Sequence, residues 1–460
     1  MGRENTFWRY RPLKSKKIGF ISLGCSKNLV DTEHMVGIMN QAGYEMTEDL
    51  SEANVIIVNT CTFIDMAKEE SVQTILEAAQ YKKTGKCERL VAAGCLAQQY
   101  KESLGQEIPE VDIFIGTDSW QHILEAVNQS YEKEGEKVYS FDTKPCEHEE
   151  LVPRINLMPP YTAFVKIAEG CSNGCTFCYI PYVRGPMRSR PIASVLHEVR
   201  RLAGEGVREF NLIAQDLSRY GRDLRDGTNL AKLLREIVKI DGVKWIRLYY
   251  LYPTYFDDEL LDVIMKEDKI AKYVDIPLQH ISDSVLRRMN RRDSSASIHT
   301  LLKKLRAAKP RLNVRTTLMV GFPGETEEDF RELCDFVREY KFDDLGVFKF
   351  SPQDGTPAAH MADQVAEEVK EDRYHELMSI QASISEQNNI HLIGTETEVL
   401  VEELLEDEKG NIQAKGRASF QAPEVDGETY IENGEGLQVG DFVKVKIVDG
   451  YAYDLIAERI

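Results

Sequence analysis

Apolar and polar positions follow two periods along this chain, and their succession predicts its organisation. From Lys17 to about Ser130, four apolar runs (IGFISLGC, VIIVNTC, RLVAAGC and VDIFIGT) are each followed by a stretch of helical spacing, as at Val72, Ile75, Leu76 and Ala79. Continuous apolar strands that alternate with helices predict a parallel sheet covered on both faces. Residues 131–160 are rich in charge and proline and hold no sustained period, so they are expected to be a linker.

From Tyr161 to Pro352 six strand-like runs recur: TAFVKIAE, EFNLIAQ, WIRLYYL, YVDIPLQ, VRTTLMVGF and LGVFKF. Most are separated by helical spacing, as at Leu230, Leu233, Leu234 and Ile237, or Phe330, Leu333, Cys334 and Val337. Six β/α units predict a partial barrel. A charged helical stretch from about Val365 to Ile390 then leads into a tail of short strands and glycine or proline turns, long enough for a small antiparallel β-barrel. The expected divisions are an N-terminal parallel α/β domain over 17–130, the linker over 131–160, the partial barrel with its trailing helix over 161–390, and the small barrel over 391–460. Residues 1–16 carry basic groups without the apolar core of a signal peptide and are expected to be a flexible tail. No apolar run reaches the roughly 18 residues a membrane span needs, so no membrane association and a cytoplasmic location are expected.

Composition narrows the chemistry. A formal charge of -19 sets the chain against phosphate backbones and favours a basic partner. Nine cysteines in 460 residues are too sparse for a secreted disulfide scaffold, and their positions suit metal ligation in a reducing compartment.

The segment GCSNGCTFCYIP places Cys171, Cys175 and Cys178 within eight residues, in the loop that leaves the first barrel strand. Three thiols so placed converge on one iron-sulfur cluster and leave one iron open. A structural zinc site would need a fourth protein ligand, and the next candidate, His197, lies beyond a predicted helix start. With Phe177 before the last cysteine, the pattern resembles the radical S-adenosylmethionine superfamily. That resemblance implies a [4Fe-4S] cluster whose open iron holds S-adenosylmethionine, and a 5′-deoxyadenosyl radical formed when one electron cleaves it. Ligands of such barrels bind at C-terminal strand ends, which makes Gln215, Asp216, Gln279, His280, Arg315 and the turn from Gly321 to Glu325 candidates for holding the cofactor. The competing reading makes that turn only a lead into the helix begun by Thr326 and Asp329, and His280 a core histidine. Arg184, Arg188 and Arg190 read either as surface charges or as partners of a substrate or cofactor carboxylate.

Cys25, Cys61 and Cys95 each end a predicted strand of the first domain, and a parallel sheet brings such ends to one edge. Three equivalent placements, two of them preceded by Gly24 and Gly94, point to a shared ligand and hence to a second three-cysteine cluster. Cys87, Cys146 and Cys334 lack this placement, and Cys334, on the apolar face of a helix, is expected in the core.

Here the resemblance sharpens to the methylthiotransferase family, which joins an N-terminal cluster domain, a radical S-adenosylmethionine barrel and a β-barrel called TRAM. SLGCSKNLVDTE, NTC, AAGC, RGPMRSRPI, LIAQDLSRYG, YVDIPLQHIS and FSPQDGTPAA are similar to the branch that modifies a ribosomal protein. Ser26 and Lys27 stand where the transfer-RNA-modifying branch more usually has glutamine and methionine. Gln421 stands where the family commonly has aspartate. The resemblance implies two [4Fe-4S] clusters, with sulfur methylated at the first by one S-adenosylmethionine while a second yields the radical. It implies as substrate the β-carbon of an aspartate in small-subunit ribosomal protein number twelve, together with a low-potential electron donor and a sulfur donor. No catalytic acid or base is expected, because a C–H bond without an acidic proton calls for radical chemistry. From Thr395 to Ile460 sixteen acidic residues face six basic ones, a net of -10, which suits a basic protein and makes direct RNA binding unexpected. The alternatives are a transfer-RNA methylthiotransferase acting on a modified adenosine of the anticodon loop, and a non-catalytic iron-sulfur scaffold or electron carrier.

Overall fold

A computed structural model of the chain describes residues 16–406 and 410–460. The tail expected over 1–16 lies, except for Lys16, outside the described residues. The chain divides into two compact units, one running to Leu157 and taking in Ile180–Gly185, the other formed by Met158–Tyr179 and Pro186–Ile460. Among the described residues, no helix is long and apolar enough to cross a membrane.

In the first unit β1 (Lys17–Ser22), α1 (Ser26–Gln41), β2 (Glu45–Met46), β3 (Val55–Thr60), α2 (Asp65–Thr84), β4 (Arg89–Gly94), α3 (Cys95–Glu107), β5 (Ile113–Ile115), α4 (Ile123–Glu132) and β6 (Val138–Ser140) succeed one another, and the short α5 (Ile180–Val183) returns to it. The six strands form one sheet in the order β2-β1-β3-β4-β5-β6, with parallel pairing throughout. Alternate residues of the apolar runs face opposite sides. Val55, Ile57, Val91 and Ile113 pack with Met35 and Met39 of α1 and Val127 of α4, while Ile56, Val58, Leu90 and Phe114 pack with Ile75 of α2 and Leu104 of α3. Each such side chain contributes about 1.5–3 kcal/mol of burial, which is why the central strands read as unbroken apolar runs.

Two edge strands, β2 and β6, are too short to carry a period and were not expected. The stretch read as a linker supplies β6, whose Val138 pairs with Ile113. Beyond it, Arg154 donates from Nε to the Glu33 carboxylate at 2.8 Å, and the Leu157 amide donates to the same carboxylate at 2.8 Å. A buried ion pair, which has no sequence period, thus fastens this stretch to α1.

The second unit contains β7 (Thr162–Lys166), a hairpin of β8 (Ala168–Glu169) and β9 (Arg188–Ser189), then α6 (Ile192–Gly204), β10 (Glu209–Ile213), α7 (Leu230–Ile237), β11 (Trp245–Leu248), α8 (Asp258–Lys266), β12 (Tyr273–Asp275), α9 (Asp283–Arg288), α10 (Ser295–Ala307), β13 (Asn313–Val320), α11 (Glu327–Tyr340), β14 (Asp344–Lys349) and α12 (Glu367–Leu392). The six expected strands form two parallel three-stranded sheets, β7-β10-β11 and β12-β13-β14, joined by a parallel bridge between Ile246 and Ile270. The helices enclose them in one apolar core that includes Val165, Leu212, Leu248, Val274 and Leu318.

Beyond α12, β15 (Glu396–Glu406), β16 (Ile412–Ala418), β17 (Thr429–Ile431), β18 (Phe442–Gly450) and β19 (Leu455–Arg459) close a five-stranded barrel. All its pairings are antiparallel except β17 with β19, which run parallel with Thr429 opposite Leu455. This small barrel seats against the N-terminal ends of β10 and β11. The Glu209 carboxylate, fully buried at the first residue of β10, accepts from Arg417 at 2.8 Å and Arg247 at 3.1 Å. Burial pushes that carboxyl up, but the two guanidiniums outweigh it and hold it at about 2.

Candidate functional site

Cys171, Cys175 and Cys178 lie in the loop after β8, on the C-terminal side of the barrel strands. Neighbouring segments clamp this loop. The Thr176 amide donates to the Met289 carbonyl at 3.1 Å, Asn290 Nδ2 donates to the Gly174 carbonyl at 2.8 Å, and the Ala358 amide donates to the Thr176 carbonyl at 3.0 Å. Asn173 donates to Asp216 at 2.7 Å and accepts from Arg219 at 3.0 Å. Phe177 packs edge-on against Phe322, which seats the loop on a small apolar cluster with Val285 and Phe350. All three thiols stay half-buried. Burial pushes the Cys171 thiol up to about 11 and raises that of Cys175.

The other three cysteines stand at the C-terminal ends of neighbouring strands, close enough to act on one another's charge. Cys25 caps the N-terminus of α1 a short loop after β1, Cys61 follows β3 directly, and Cys95 follows β4 as the first residue of α3. In the order β2-β1-β3 the winding of the sheet reverses between β1 and β3, and ligands of open α/β sheets bind at the carboxyl ends of strands beside such a reversal. Two helix N-termini there favour negative charge. Close approach demands glycine. At Gly24, with φ +84°, a Cβ would lie 2.6 Å from Cys61 Cβ and 2.8 Å from its Sγ, and at Gly94, with φ +87°, it would strike Asn59 Oδ1 and come within 2.8 Å of the Thr60 carbonyl.

Side chains then lock the strand ends together. Ser71 Oγ accepts from the Cys61 amide and donates to the Cys61 carbonyl, each at 3.0 Å, and Thr60 Oγ1 donates to the Ala93 carbonyl at 2.5 Å while accepting from the Leu96 amide at 3.2 Å. Burial raises the Cys61 thiol and pushes that of Cys95 up to about 12, with the nearby Arg184 guanidinium pulling the other way.

Of the other sequence candidates, Gln215 lies beside the second cysteine loop. Its Nε2 donates to Glu169 at 2.6 Å, and its buried Oε1 has no hydrogen-bond partner among the described residues. Gln279, with φ +72°, donates its amide to the Thr317 carbonyl at 2.8 Å and extends the pairing of β12 with β13. Arg315 was expected at a C-terminal strand end. It is instead the third residue of β13, pairing with Asp275 at 3.1 Å and with Asp426 of the small barrel at 3.2 Å. Gly321 lies under the Lys370 side chain, and Glu325 pairs with Arg373 of α12 at 2.8 Å, so that turn is engaged with the trailing helix. Burial outweighs Arg373 and pushes the Glu325 carboxyl up to about 7, and drives the fully buried His280, 3.7 Å away, down to about 3. Arg184, read from sequence as a surface charge or carboxylate partner, is buried in the first unit against Asp31 at 3.1 Å. Cys334 lies in the core as expected, and Cys87 is buried beside α2. Sequence reasoning missed Asn28, Thr60 and Ser71, although Asn28 and Thr60 lie inside the motifs that hold Cys25 and Cys61.

Both cysteine sets suit an iron-sulfur cluster. Among the described residues no three His, Cys, Asp or Glu groups are arranged to hold a single metal ion, but a four-iron cluster asks each thiolate to meet its own iron. The thiols of Cys61, Cys95, Cys171 and Cys175, raised by burial, become ordinary metal ligands once a cation displaces the proton.

Residues 17–116 match the family described as uncharacterized protein family UPF0004, residues 165–337 the radical SAM superfamily, and residues 393–460 the TRAM domain. The proteins named ribosomal protein uS12 methylthiotransferase RimO of Geotalea uraniireducens (strain Rf4) and Geobacter sulfurreducens are 49 % and 50 % identical over 445 residues. Each alignment covers 97 % of this chain, and 98 % and 99 % of the relative respectively. In fold, the chain is similar to the radical S-adenosylmethionine methyltransferase TsrM from Kitasatospora setae, whose structure holds cobalamin and a [4Fe-4S] cluster, with a TM-score of 0.56 and 14 % identity over 75 % of this chain and 77 % of that one. Identity of this extent along nearly the whole length establishes that the chain belongs to the RimO family.

Proposed function

We propose that this chain inserts a methylthio group at the β-carbon of an aspartate in ribosomal protein uS12. The observation that carries the reading is the presence of two sets of three cysteines, each gathered at the C-terminal side of a parallel sheet, in a chain about half identical to proteins named for that reaction. In this reading Cys171, Cys175 and Cys178 hold one [4Fe-4S] cluster and Cys25, Cys61 and Cys95 hold the other. When bound, the two clusters supply the electron that releases a 5′-deoxyadenosyl radical from S-adenosylmethionine and a place for the sulfur that is methylated and transferred. The chain's own residues bind and orient. Gln215, whose buried Oε1 awaits a donor, and the Glu169 carboxylate beside it are assigned to the ammonium group of S-adenosylmethionine, with Gln279 as a second polar contact. Phe177 and Phe322 seat the loop that carries the cysteines on an apolar cluster. The reaction calls for a low-potential electron donor and a sulfur donor, and the reading places it in the cytoplasm. The small barrel, with its net of -10, is assigned to the basic protein substrate rather than to RNA.

The test is direct. Reconstituted full-length protein with dithionite and S-adenosylmethionine should form 5′-deoxyadenosine and add the mass of a methylthio group to an aspartate-bearing peptide of uS12, read by mass spectrometry. Modification of transfer RNA with the peptide left untouched would overturn the reading.

A further inference from the structure

One buried amide touches the three segments that carry Cys25, Cys61 and Cys95. Asn28, on the first turn of α1, donates from Nδ2 to the Leu23 carbonyl at 3.0 Å and to the Thr60 carbonyl at 2.8 Å, and its Oδ1 accepts from Cys95 Sγ at 3.7 Å. Leu23 is two residues before Cys25 and Thr60 immediately precedes Cys61, so a single side chain spans the segments of all three ligands. Both amide ends are committed, and Asn28 is fully buried.

The same Oδ1 also accepts from Arg184, which arrives on the segment that follows α5. Arg184 is 3 % exposed, and its other terminal nitrogen donates to Asp31 at 3.1 Å. Asn28 and Asp31 are three apart on α1 and share a face, so one helix offers both acceptors to the guanidinium fork. Asp31 fixes its direction while the Asn28 arm reaches toward Cys95. A buried cation costs several kcal/mol unless it is paired. Fixing α5 alone needs no charge beside the thiols of Cys61 and Cys95.

We propose that Asn28 and Arg184 are positioning residues of the first cysteine site, Asn28 setting where the three thiols stand and Arg184 supplying the positive charge that raises the reduction potential of the cluster they hold. The proposal rests on the reading of Cys25, Cys61 and Cys95 as cluster ligands. Reduction adds negative charge, and a fixed cation in a low-dielectric site favours the reduced state, as do hydrogen bonds toward the sulfurs.

The experiment uses the full chain with Cys171, Cys175 and Cys178 all changed to Ala, so that only the first site can load, reconstituted with iron and sulfide under anaerobic conditions. This background should bind one four-iron cluster. Within it, R184K should titrate near the parent when followed by electron paramagnetic resonance, whereas R184M and N28D, which remove a positive charge or add a negative one, should both titrate at more negative potentials. R184M leaves the buried Asp31 carboxylate without its cation, so less bound iron than its lowered melting transition accounts for, beside full loading in R184K, would support the same assignment. If the background binds no iron, the ligand reading fails and takes this proposal with it. If it binds a cluster and all three variants titrate with the parent, the ligand reading stands and the role of Arg184 is overturned.

Discussion

Cys171, Cys175 and Cys178 lie within eight residues of one loop, whereas Cys25, Cys61 and Cys95 are each more than thirty residues from the next. The loop carries its three cysteines in its own sequence, and its neighbours need only hold it down through contacts such as Thr176 with Met289 and Phe177 with Phe322. The other set exists only because β1, β3 and β4 are adjacent and in register, with Ile21 opposite Val58 and Val58 opposite Ala92. A contiguous site should therefore fail mainly when a ligand is lost. A site assembled from strand ends should also fail when the scaffold shifts.

The largest effects separate the two sites chemically. Cys171→Ala should reduce 5′-deoxyadenosine formation to background, since nothing then holds S-adenosylmethionine at an iron. Cys95→Ala should leave some cleavage and abolish methylthio transfer. Chromatography of the nucleoside and mass spectrometry of the peptide read both outcomes, and normal transfer by Cys95→Ala would remove the first site from the reaction.

Next comes the scaffold. Arg154→Met leaves the Glu33 carboxylate, 1 % exposed, without its cation, and breaking a buried pair costs about 3–5 kcal/mol. Calorimetry should show one lowered transition, for the first unit, with iron lost from that unit's site and retained at Cys171, Cys175 and Cys178. Equal iron loss at both sites would break the comparison.

The second unit has its own brace, and it titrates. Glu209 is held at about 2 in the folded chain against 4.5 in its absence, so its contribution is complete above pH 4.5 and is lost as pH falls from 4.5 toward 2. At 1.36 kcal/mol per unit the ceiling is about 3 kcal/mol. Glu209→Gln should flatten the acid limb of the second unit's stability curve. The readout is the slope with pH, because the variant also leaves Arg247 without its carboxylate and Arg417 with Glu402 alone, and lowers stability at every pH.

These contrasts also explain what was legible in the sequence. The spacing of Cys171, Cys175 and Cys178 makes them candidate ligands without any fold, and Cys25, Cys61 and Cys95 become candidates once apolar periodicity has ordered the strands. Strands β2 and β6 escaped because two or three residues carry no period. Arg315 was singled out but misplaced, and Glu209 and Arg417 escaped, for another reason: Asp426 lies 111 residues from Arg315 and Arg417 lies 208 from Glu209, and both pairs follow from the docking of the small barrel, which no local pattern encodes. Arg184 was singled out, but its place beside Asn28 and Cys95 depends on a chain segment returning to the first unit.

The smallest effect is the most discriminating, because it places the same methyl group on a positive-φ glycine in each site. Gly94 and Gly174 adopt φ of +87° and +72°, so alanine at either is strained by about 1–3 kcal/mol, and Gly94, with ψ of -149°, lies in a region essentially confined to glycine. Their surroundings differ. A Cβ at Gly94 meets Asn59 Oδ1 and the Thr60 backbone, the element that leads into Cys61, whereas at Gly174 the nearest atom is Asn290 Nδ2 at 3.6 Å, an ordinary contact. Gly94→Ala should therefore push β3 and β4 apart where two ligands emerge and lower iron per chain beyond what its stability loss explains. Gly174→Ala should lose less stability and keep its iron. Iron and sulfide assays beside denaturant midpoints test the pair. If Gly174→Ala loses iron as readily as Gly94→Ala, the loop is not the self-contained site its spacing suggests, and both cysteine sets depend on the scaffold alike.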